Sequence, residues 1–160
     1  MREEWIPLYG KRLYGLCVRL CGSQNDADDL YQETWLRVCC HEDRYDASLP
    51  PEHWLNAICV NAWRDMCRRD KWRMRLAVFA DSEQKDKALE DVPAEQHDSE
   101  NAELWDAIRR LPPKYTAVIV LHYFRGYGVR ELSRILKVPE GTVKYRLFRA
   151  RELLKGELTS

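Results

Sequence analysis

The sequence GVRELSRILKVPEGTVKYRLFRARELL, residues 128–154, decides the fold of the second half of this chain. Two stretches with helical periodicity flank a short break at residues 138–142. Pro139 cannot extend the first helix, Gly141 permits a turn, and Thr142 is expected to cap the second helix. Two helices joined in this way form a helix-turn-helix, whose second helix enters the major groove of DNA.

The second helix of this motif carries different chemistry on its two faces. One face is an apolar stripe that must pack on a core, formed by Val143, Leu147, Ala150 and Leu154. Aromatic and basic groups stand together on the other face, which is costly unless something covers them. A solvated basic helix is the plain alternative, but the turn and apolar stripe ahead of it favour DNA binding. The candidate DNA contacts are Thr142, Lys144, Tyr145, Arg146, Phe148 and Arg149.

These candidates divide by chemistry into groups that read bases and groups that hold phosphates. Arg149 can offer a bidentate pair to guanine, and Tyr145 or Phe148 can pack on a thymine methyl. Lys144 and Arg146 are suited to phosphates, which position a helix without reading sequence.

A predicted helix from Glu52 to about Arg75 carries a second basic surface. Its inner residues are Leu55, Ile58, Cys59, Ala62 and Met66. This places a ridge of Arg64, Arg68, Lys71 and Arg75 outward, with Val60, Asn61, Trp63 and Trp72 beside it. Flat side chains among arginines are typical of surfaces that stack unpaired bases and follow the backbone, although a run of charge is often only a solvated face.

A third surface lies on the predicted helix Ala27 to Cys40, which Asn25 or Asp26 is expected to cap. Its outer residues are acidic, with one exposed leucine at the centre: Asp28, Asp29, Gln32, Glu33 and Leu36. Such a surface repels DNA and suits a protein partner with a basic, partly apolar groove, while an ordinary polar face remains the alternative.

Charge is unevenly distributed in this 160-residue chain, although 26 basic and 26 acidic residues give a formal net charge of +0. Residues 81–103 contain nine acids and two lysines, a net charge of −7, whereas residues 114–160 carry +6. This asymmetry indicates an acidic connector beside a nucleic-acid-binding end. We therefore predict an all-α fold with helical domains at 1–76 and 101–160, each with its own core, joined by a flexible linker at 77–100.

Metal binding and membrane insertion are not expected from the sequence. The six cysteines include no CxxC pair, and Cys39-Cys40-His41 is a poor tetrahedral ligand set. Cys17, Cys21 and Cys59 lie on apolar helical stripes, as buried cysteines commonly do. No apolar run approaches the length of a membrane span, and the first residues lack a signal-peptide core, so a cytoplasmic location is expected.

Four motifs together resemble the extracytoplasmic-function (ECF) sigma factors, the minimal branch of the bacterial sigma-70 family. They are DADDLYQETWLRV (26–38), HWLNAICVNAWRDMCRRDKWR (53–73), RRLPPKYTAVIVLHYFRGYGVRELSRIL (109–136) and VPEGTVKYRLFRAREL (138–153). The resemblance implies a promoter-specificity subunit rather than an enzyme, without a cofactor. Its implied partners are core RNA polymerase, through clamp helices and flap, promoter DNA in duplex and melted form, and an anti-sigma factor.

The resemblance also implies roles for individual residues. Asp29, Gln32 and Glu33 stand where the family contacts polymerase. Asn61 stands where the family captures a flipped −10 base, and Arg64, Arg68 and Arg69 lie in its promoter-binding region. Lys144, Tyr145, Phe148 and Arg149 lie in its −35 helix. Lys137 departs from the glycine common before the turn, so the turn is expected to close differently.

Two other functions compete with this interpretation. A conventional helix-turn-helix regulator with an N-terminal sensor domain shares the C-terminal motif, but it gives no reason for the Arg64–Arg75 ridge. A nucleic-acid enzyme would use the carboxylates near Asp26, yet no histidine partner or glycine-rich loop accompanies them.

Overall fold

The computed structural model describes the backbone of residues 3–80 and 101–159, and the side chains of residues 3–70 and 101–157. The first half contains α1 (Trp5–Cys21), α2 (Gln24–Cys40), a 3₁₀ turn (Glu42–Arg44) and α3 (Pro51–Ala80). The second half contains α4 (Ala102–Arg110), α5 (Pro113–Ile119), a π turn (Val120–Phe124), α6 (Val129–Leu136) and α7 (Glu140–Thr159). The predicted all-α fold is confirmed. Among the described helices, none is long and apolar enough to cross a bilayer.

The apolar spacing from Trp5 to Cys21 predicts the bounds of α1, but α2 begins at Gln24 rather than at the expected Ala27. Gly22 ends α1 in the left-handed conformation, with a φ of 80°. The next residue, Ser23, is extended and its Oγ accepts the Asp26 N–H at 3.3 Å. Ser23 therefore caps α2, and the prediction of Asn25 or Asp26 as the cap was wrong.

The helix-turn-helix turn is closed by Lys137 rather than by Gly141. Lys137 has a φ of 56° and is the one non-glycine residue with positive φ in the described chain. Gly141 lies inside the first turn of α7, and the carbonyl of Pro139 accepts the N–H groups of Thr142 and Val143 at 3.0 and 3.2 Å. The predictions that Gly141 permits the turn and that Thr142 caps the second helix were wrong. Lys137 reverses the chain, and Pro139 already leads into the helix.

Buried side chains from both halves form one contiguous core, so the expectation of two separate cores was wrong. The cluster includes Leu16, Leu20 and Cys59 from the first half, and Val118 and Leu132 from the second. The reason lies in α3, which has a second buried stripe at i, i+4, i+7 and i+11 that turns toward the second half. This stripe comprises buried Asn56, Val60 and Trp63 and half-buried Cys67.

A hydrogen-bond network centred on Tyr127 joins the halves at the first turns of α3. The Tyr127 hydroxyl accepts from Asn56 Nδ2 at 2.8 Å and donates to Glu52 Oε1 at 2.7 Å. Arg12 Nε donates to Glu52 Oε2 at 2.6 Å. Burial raises the pKa of Glu52, but the hydrogen bonds from Arg12 and Tyr127 outweigh it and lower the pKa overall.

The end of α1 makes a second contact with the other half through aromatic and cationic groups. The guanidinium of Arg19 lies 4.5 Å from the Trp105 ring centre and 5.0 Å from that of Phe124. Arg109 reaches back over Gly22, where a Cβ would approach its Nε to 2.5 Å. Glycine at position 22 therefore permits both the left-handed backbone conformation and the close approach of Arg109.

Candidate nucleic-acid and protein interfaces

The outer face of α7 presents two aromatic rings between basic groups. Val143, Leu147 and Ala150 are buried, which fixes the orientation of the helix as predicted. Tyr145 and Phe148 are each 59% exposed, and Lys144 and Arg149 are also exposed. A rigid amphipathic helix with this surface can offer flat rings and bidentate donors to a DNA groove.

Arg146 and Arg151 differ from the other basic residues of α7. Arg146 is half-buried, and burial followed by the positive charge of Arg64 lowers its pKa. Arg151 Nε donates to the Tyr123 hydroxyl at 2.7 Å, and its guanidinium lies over that ring. Arg146 therefore lies within electrostatic reach of α3, and Arg151 is held by a neighbouring side chain.

On α3 the predicted basic ridge is only partly an exposed surface. Asn61, Arg68 and Arg69 are exposed, whereas Arg64 is half-buried. Trp63 is 5% exposed and Val60 is 1% exposed. Both were expected beside the ridge, and that expectation was wrong because they belong to the second buried stripe of α3. The remaining candidates, Lys71, Trp72 and Arg75, lie on the helix, but their side chains fall outside the described residues.

Asp65 holds two of the surrounding arginines. Its carboxylate accepts hydrogen bonds from Arg37 Nη2 at 2.9 Å and from Arg68 Nη2. Burial raises the pKa of Asp65, but these two hydrogen bonds outweigh it and lower the pKa overall. Arg64 is not part of this ion-pair group and forms no ion pair with a carboxylate of the described residues.

The acidic face of α2 borders a surface depression of about 290 Å³ that it shares with α3. Leu36 is 62% exposed at the centre of this face. The lining residues are Asp26, Asp29, Gln32, Glu33, Leu36, Met66, Arg69 and Asp70. Sequence reasoning missed the contribution of α3, although Met66, Arg69 and Asp70 recur at helical spacing. The face is therefore a concave, mostly polar site that combines four carboxylates and one arginine with the exposed Leu36.

Two of the predicted α2 contacts already have partners within the chain. Asp28 Oδ1 accepts from the Tyr14 hydroxyl at 2.7 Å, a bond that raises the pKa of Tyr14 to about 12. Glu33 Oε2 accepts from Arg37 Nε at 2.8 Å. Asp29, Gln32 and Leu36 are the more exposed members of the predicted set.

The second half also has an apolar groove of about 420 Å³, formed by α4, α5, the π turn and α7. Leu104 is 37% exposed and lines this groove with Trp105 and Tyr123. The short helix α4 places Leu104 at its edge, so the residue is not enclosed by the packing of Ala107 and Ile108.

The cysteines are free thiols at different depths. Cys17 Sγ and Cys59 Sγ lie 3.7 Å apart in the core, and their hydrogen bond followed by burial raises the pKa of Cys17. Cys39 and Cys40 are exposed. Within the described part of the chain, no three His, Cys, Asp or Glu side chains are grouped as metal ligands.

Comparison with protein families identifies both halves of the chain. Residues 6–73 match the model of sigma-70 region 2, and residues 101–154 match the model of sigma-70 region 4. The ECF RNA polymerase sigma factor SigW of Bacillus subtilis is 31% identical, over 96% of this chain and 86% of the relative. The chain belongs to the ECF sigma-factor family. Because residues 6–73 match region 2, this ECF sigma factor does not fit a regulator with an N-terminal sensor domain.

Other relatives agree in sequence and fold. The ECF sigma factor SigE of Mycolicibacterium smegmatis is 38% identical over 98% of this chain, which spans 61% of that relative's length. The sigma factor RpoE from a complex with the anti-sigma factor NepR from Bartonella quintana aligns with a TM-score of 0.75 at 19% identity, covering 98% and 96% of the two chains. CnrH, solved with the cytosolic domain of CnrY, gives 0.67 at 22% identity, over 98% and 86%. These two likenesses establish the fold.

Proposed function

We propose that this ECF sigma factor directs promoter-specific transcription initiation by binding core RNA polymerase, opening the −10 element and reading the −35 element. The observation that carries the proposal is the occurrence of three chemically different surfaces within the region 2 and region 4 matches. Two are basic with polar or aromatic groups, and the third is acidic with an exposed leucine. A repressor needs only one DNA surface, whereas a promoter-reading subunit needs all three.

The α7 surface is the proposed reader of duplex −35 DNA. Exposed Arg149 supplies the bidentate donors for a guanine, and the exposed rings of Tyr145 and Phe148 supply apolar contact to thymine methyls. Lys144 is suited to phosphate. Thr142, in the first turn of α7, and half-buried Arg146 complete the proposed set.

The α3 surface is the proposed contact for the −10 element after strand separation. Asn61 is exposed and can hydrogen-bond an unstacked base, while Arg64, Arg68 and Arg69 provide charge for the backbone. Lys71, Trp72 and Arg75 extend the same helix and belong to the proposal by sequence position.

The acidic α2 surface is the proposed polymerase contact. Exposed Leu36 supplies an apolar anchor within the depression, and Asp29 and Gln32 on its rim favour a partner with basic groups. Asp28 and Glu33 are assigned to the same surface. Their bonds to Tyr14 and Arg37 hold them in place and leave carboxylate oxygens able to accept further hydrogen bonds.

The proposed division of labour follows the region boundaries: 1–76 for polymerase and −10 binding, 77–100 as an acidic connector, and 101–160 for −35 binding. We further propose that the protein works in the cytoplasm with polymerase, has no catalytic activity or cofactor of its own, and is held by an anti-sigma factor. Similar chains solved with NepR and CnrY support the last point.

In vitro transcription with core polymerase tests the proposal directly. The protein is expected to confer promoter-specific initiation, and tight, selective binding of duplex promoter by the protein alone would contradict it. Leu36→Ala is expected to reduce polymerase binding, since the side chain is 62% exposed at the proposed contact. Leu8→Ala is the matched control, because Leu8 is 64% exposed on α1.

Base reading by Arg149 has its own test. Arg149→Ala is expected to relax sequence preference at one −35 base pair by about 1–3 kcal/mol. Arg68→Ala is the comparison, since the loss of a phosphate contact weakens binding uniformly across sequences and reduces its salt dependence. Equal loss on all −35 sequences for Arg149→Ala would contradict the base-reading role.

A further inference from the structure

A narrow cleft opens between the two halves where α3 faces the start of α5. It has a volume of about 290 Å³. The lining residues are Arg64, Cys67 and Arg68 from the first half, and Pro112, Pro113 and Lys114 from the second. The cleft thus combines two prolines and a half-buried thiol with cationic groups from both halves.

Two of the three cations that line this cleft, Arg64 and Lys114, lack an acidic partner among the described residues. Arg68 is paired with Asp65. Arg64 and Lys114 form no ion pair with any carboxylate of the described residues, and neither does Arg146, which lies within electrostatic reach of Arg64. Arg64 and Lys114 come from α3 and α5, so packing of the two halves is what brings their charges together.

Like charges gathered in a partly buried site raise the free energy of the packed arrangement. An anion with several oxygens would remove this repulsion and satisfy the unused N–H donors. Guanidinium and ammonium groups both bind phosphate oxygens, arginine often in a bidentate manner.

We propose that this cleft binds a small polyphosphate, either inorganic or carried by a nucleotide. Its volume lies at the lower end of ligand sites, which suits a short phosphate chain rather than a large organic ligand. The polyphosphate bridges Arg64 of α3 to Lys114 of the second half. This binding does not depend on the proposed transcriptional role. If Arg64 and Arg68 also hold promoter DNA, the two ligands compete.

Isothermal titration of the full chain with inorganic tripolyphosphate measures this binding without polymerase or DNA. One saturable site is expected, and the melting temperature should rise with ligand concentration. Sulfate at matched ionic strength should give neither effect. The absence of a saturable site, or equal binding of sulfate, would overturn the proposal. Failure of promoter-specific transcription would leave this measurement unaffected.

Charge substitutions locate the site. Lys114→Gln and Arg64→Gln should each weaken tripolyphosphate binding about tenfold or more, because each removes a charge-assisted hydrogen bond. Lys114 is exposed, so its substitution does not disturb the core, and Lys114→Arg should restore binding. Arg44→Gln is the control, since Arg44 is an exposed arginine on the 3₁₀ turn before α3.

The Arg44→Gln control and a titration with ATP give the remaining outcomes. An equal loss for Arg44→Gln would show diffuse electrostatic attraction and reject the site. ATP separates the two sources of the phosphate chain: binding equal to tripolyphosphate supports recognition of phosphate alone, and tighter binding supports a nucleotide. ATP binding without tripolyphosphate binding would contradict recognition through the phosphate chain.

Discussion

The hydroxyl of Tyr127 is predicted to contribute substantially to stability, because it joins the two halves of the molecule. Tyr127→Phe removes one oxygen and leaves the ring in place. Asn56, only 1% exposed, then loses the acceptor for its Nδ2 group, and Glu52 loses a donor. A buried donor left without a partner costs about 1–3 kcal/mol, and a hydrogen bond to a charged group contributes about 1.5–3 kcal/mol.

The expected total is smaller than the sum of these values. Glu52 keeps its hydrogen bonds from Arg12 at 2.6 and 3.0 Å, so only part of the second contribution is lost. We expect Tyr127→Phe to lower the free energy of unfolding by about 2–4 kcal/mol. With a urea m-value of about 2 kcal/mol/M, the midpoint of unfolding should fall by about 1–2 M.

Tyr123→Phe is the matched control for this experiment. Its hydroxyl also accepts a hydrogen bond, from Arg151 at 2.7 Å, but the residue is 57% exposed and water can replace the partner. The expected loss is at most about 0.5 kcal/mol. If urea unfolding monitored by circular dichroism gave the same small change for Tyr127→Phe, the packing of the halves through this network would be refuted.

Three further predictions concern backbone, pH and thiol chemistry. Gly22→Ala should destabilise the protein by about 1–2 kcal/mol in thermal unfolding, because φ is 80° there, and an unchanged melting temperature would contradict this. Because the pKa of Glu52 is lowered from its ordinary value of 4.5, this residue stabilises the folded protein at pH values above 4.5. That contribution is lost as the pH falls through the pKa of the folded state. In Glu52→Gln the free energy of unfolding should therefore depend less on pH in the acidic range. An unchanged pH dependence would refute the assignment. Mass spectrometry after brief alkylation should find exposed Cys40 modified and buried Cys17 protected, whereas equal labelling would show that the core opens readily.

Features governed by local periodicity were predictable from the sequence. The bounds of α1 and the buried stripe Val143, Leu147 and Ala150 follow from apolar spacing and from Gly22, which act within a few residues. The surface positions of Asn61 and Arg149 follow in the same way, because the buried side of a helix fixes which residues lie on its exposed side.

Features that depend on distant partners were not predictable. Trp63 looks like an exposed aromatic in a basic ridge until the second half packs on α3. Asn56 likewise gains its role only from Tyr127, which is 71 residues away. At the turn, Lys137 in a left-handed conformation could not be inferred, because glycine is the residue that normally adopts it.

The contiguous core has a consequence for how the molecule unfolds. Since α3 gives one buried stripe to the first half and another to the second, neither half can melt without exposing apolar surface of the other. Regions 2 and 4 then act as one cooperative unit, and calorimetry should record a single transition with equal van't Hoff and calorimetric enthalpies. A destabilising substitution in region 4 would thereby lower hydrogen-exchange protection in α1. Exchange in α1, the helix farthest from α7 in the sequence, therefore reports on the folding of region 4.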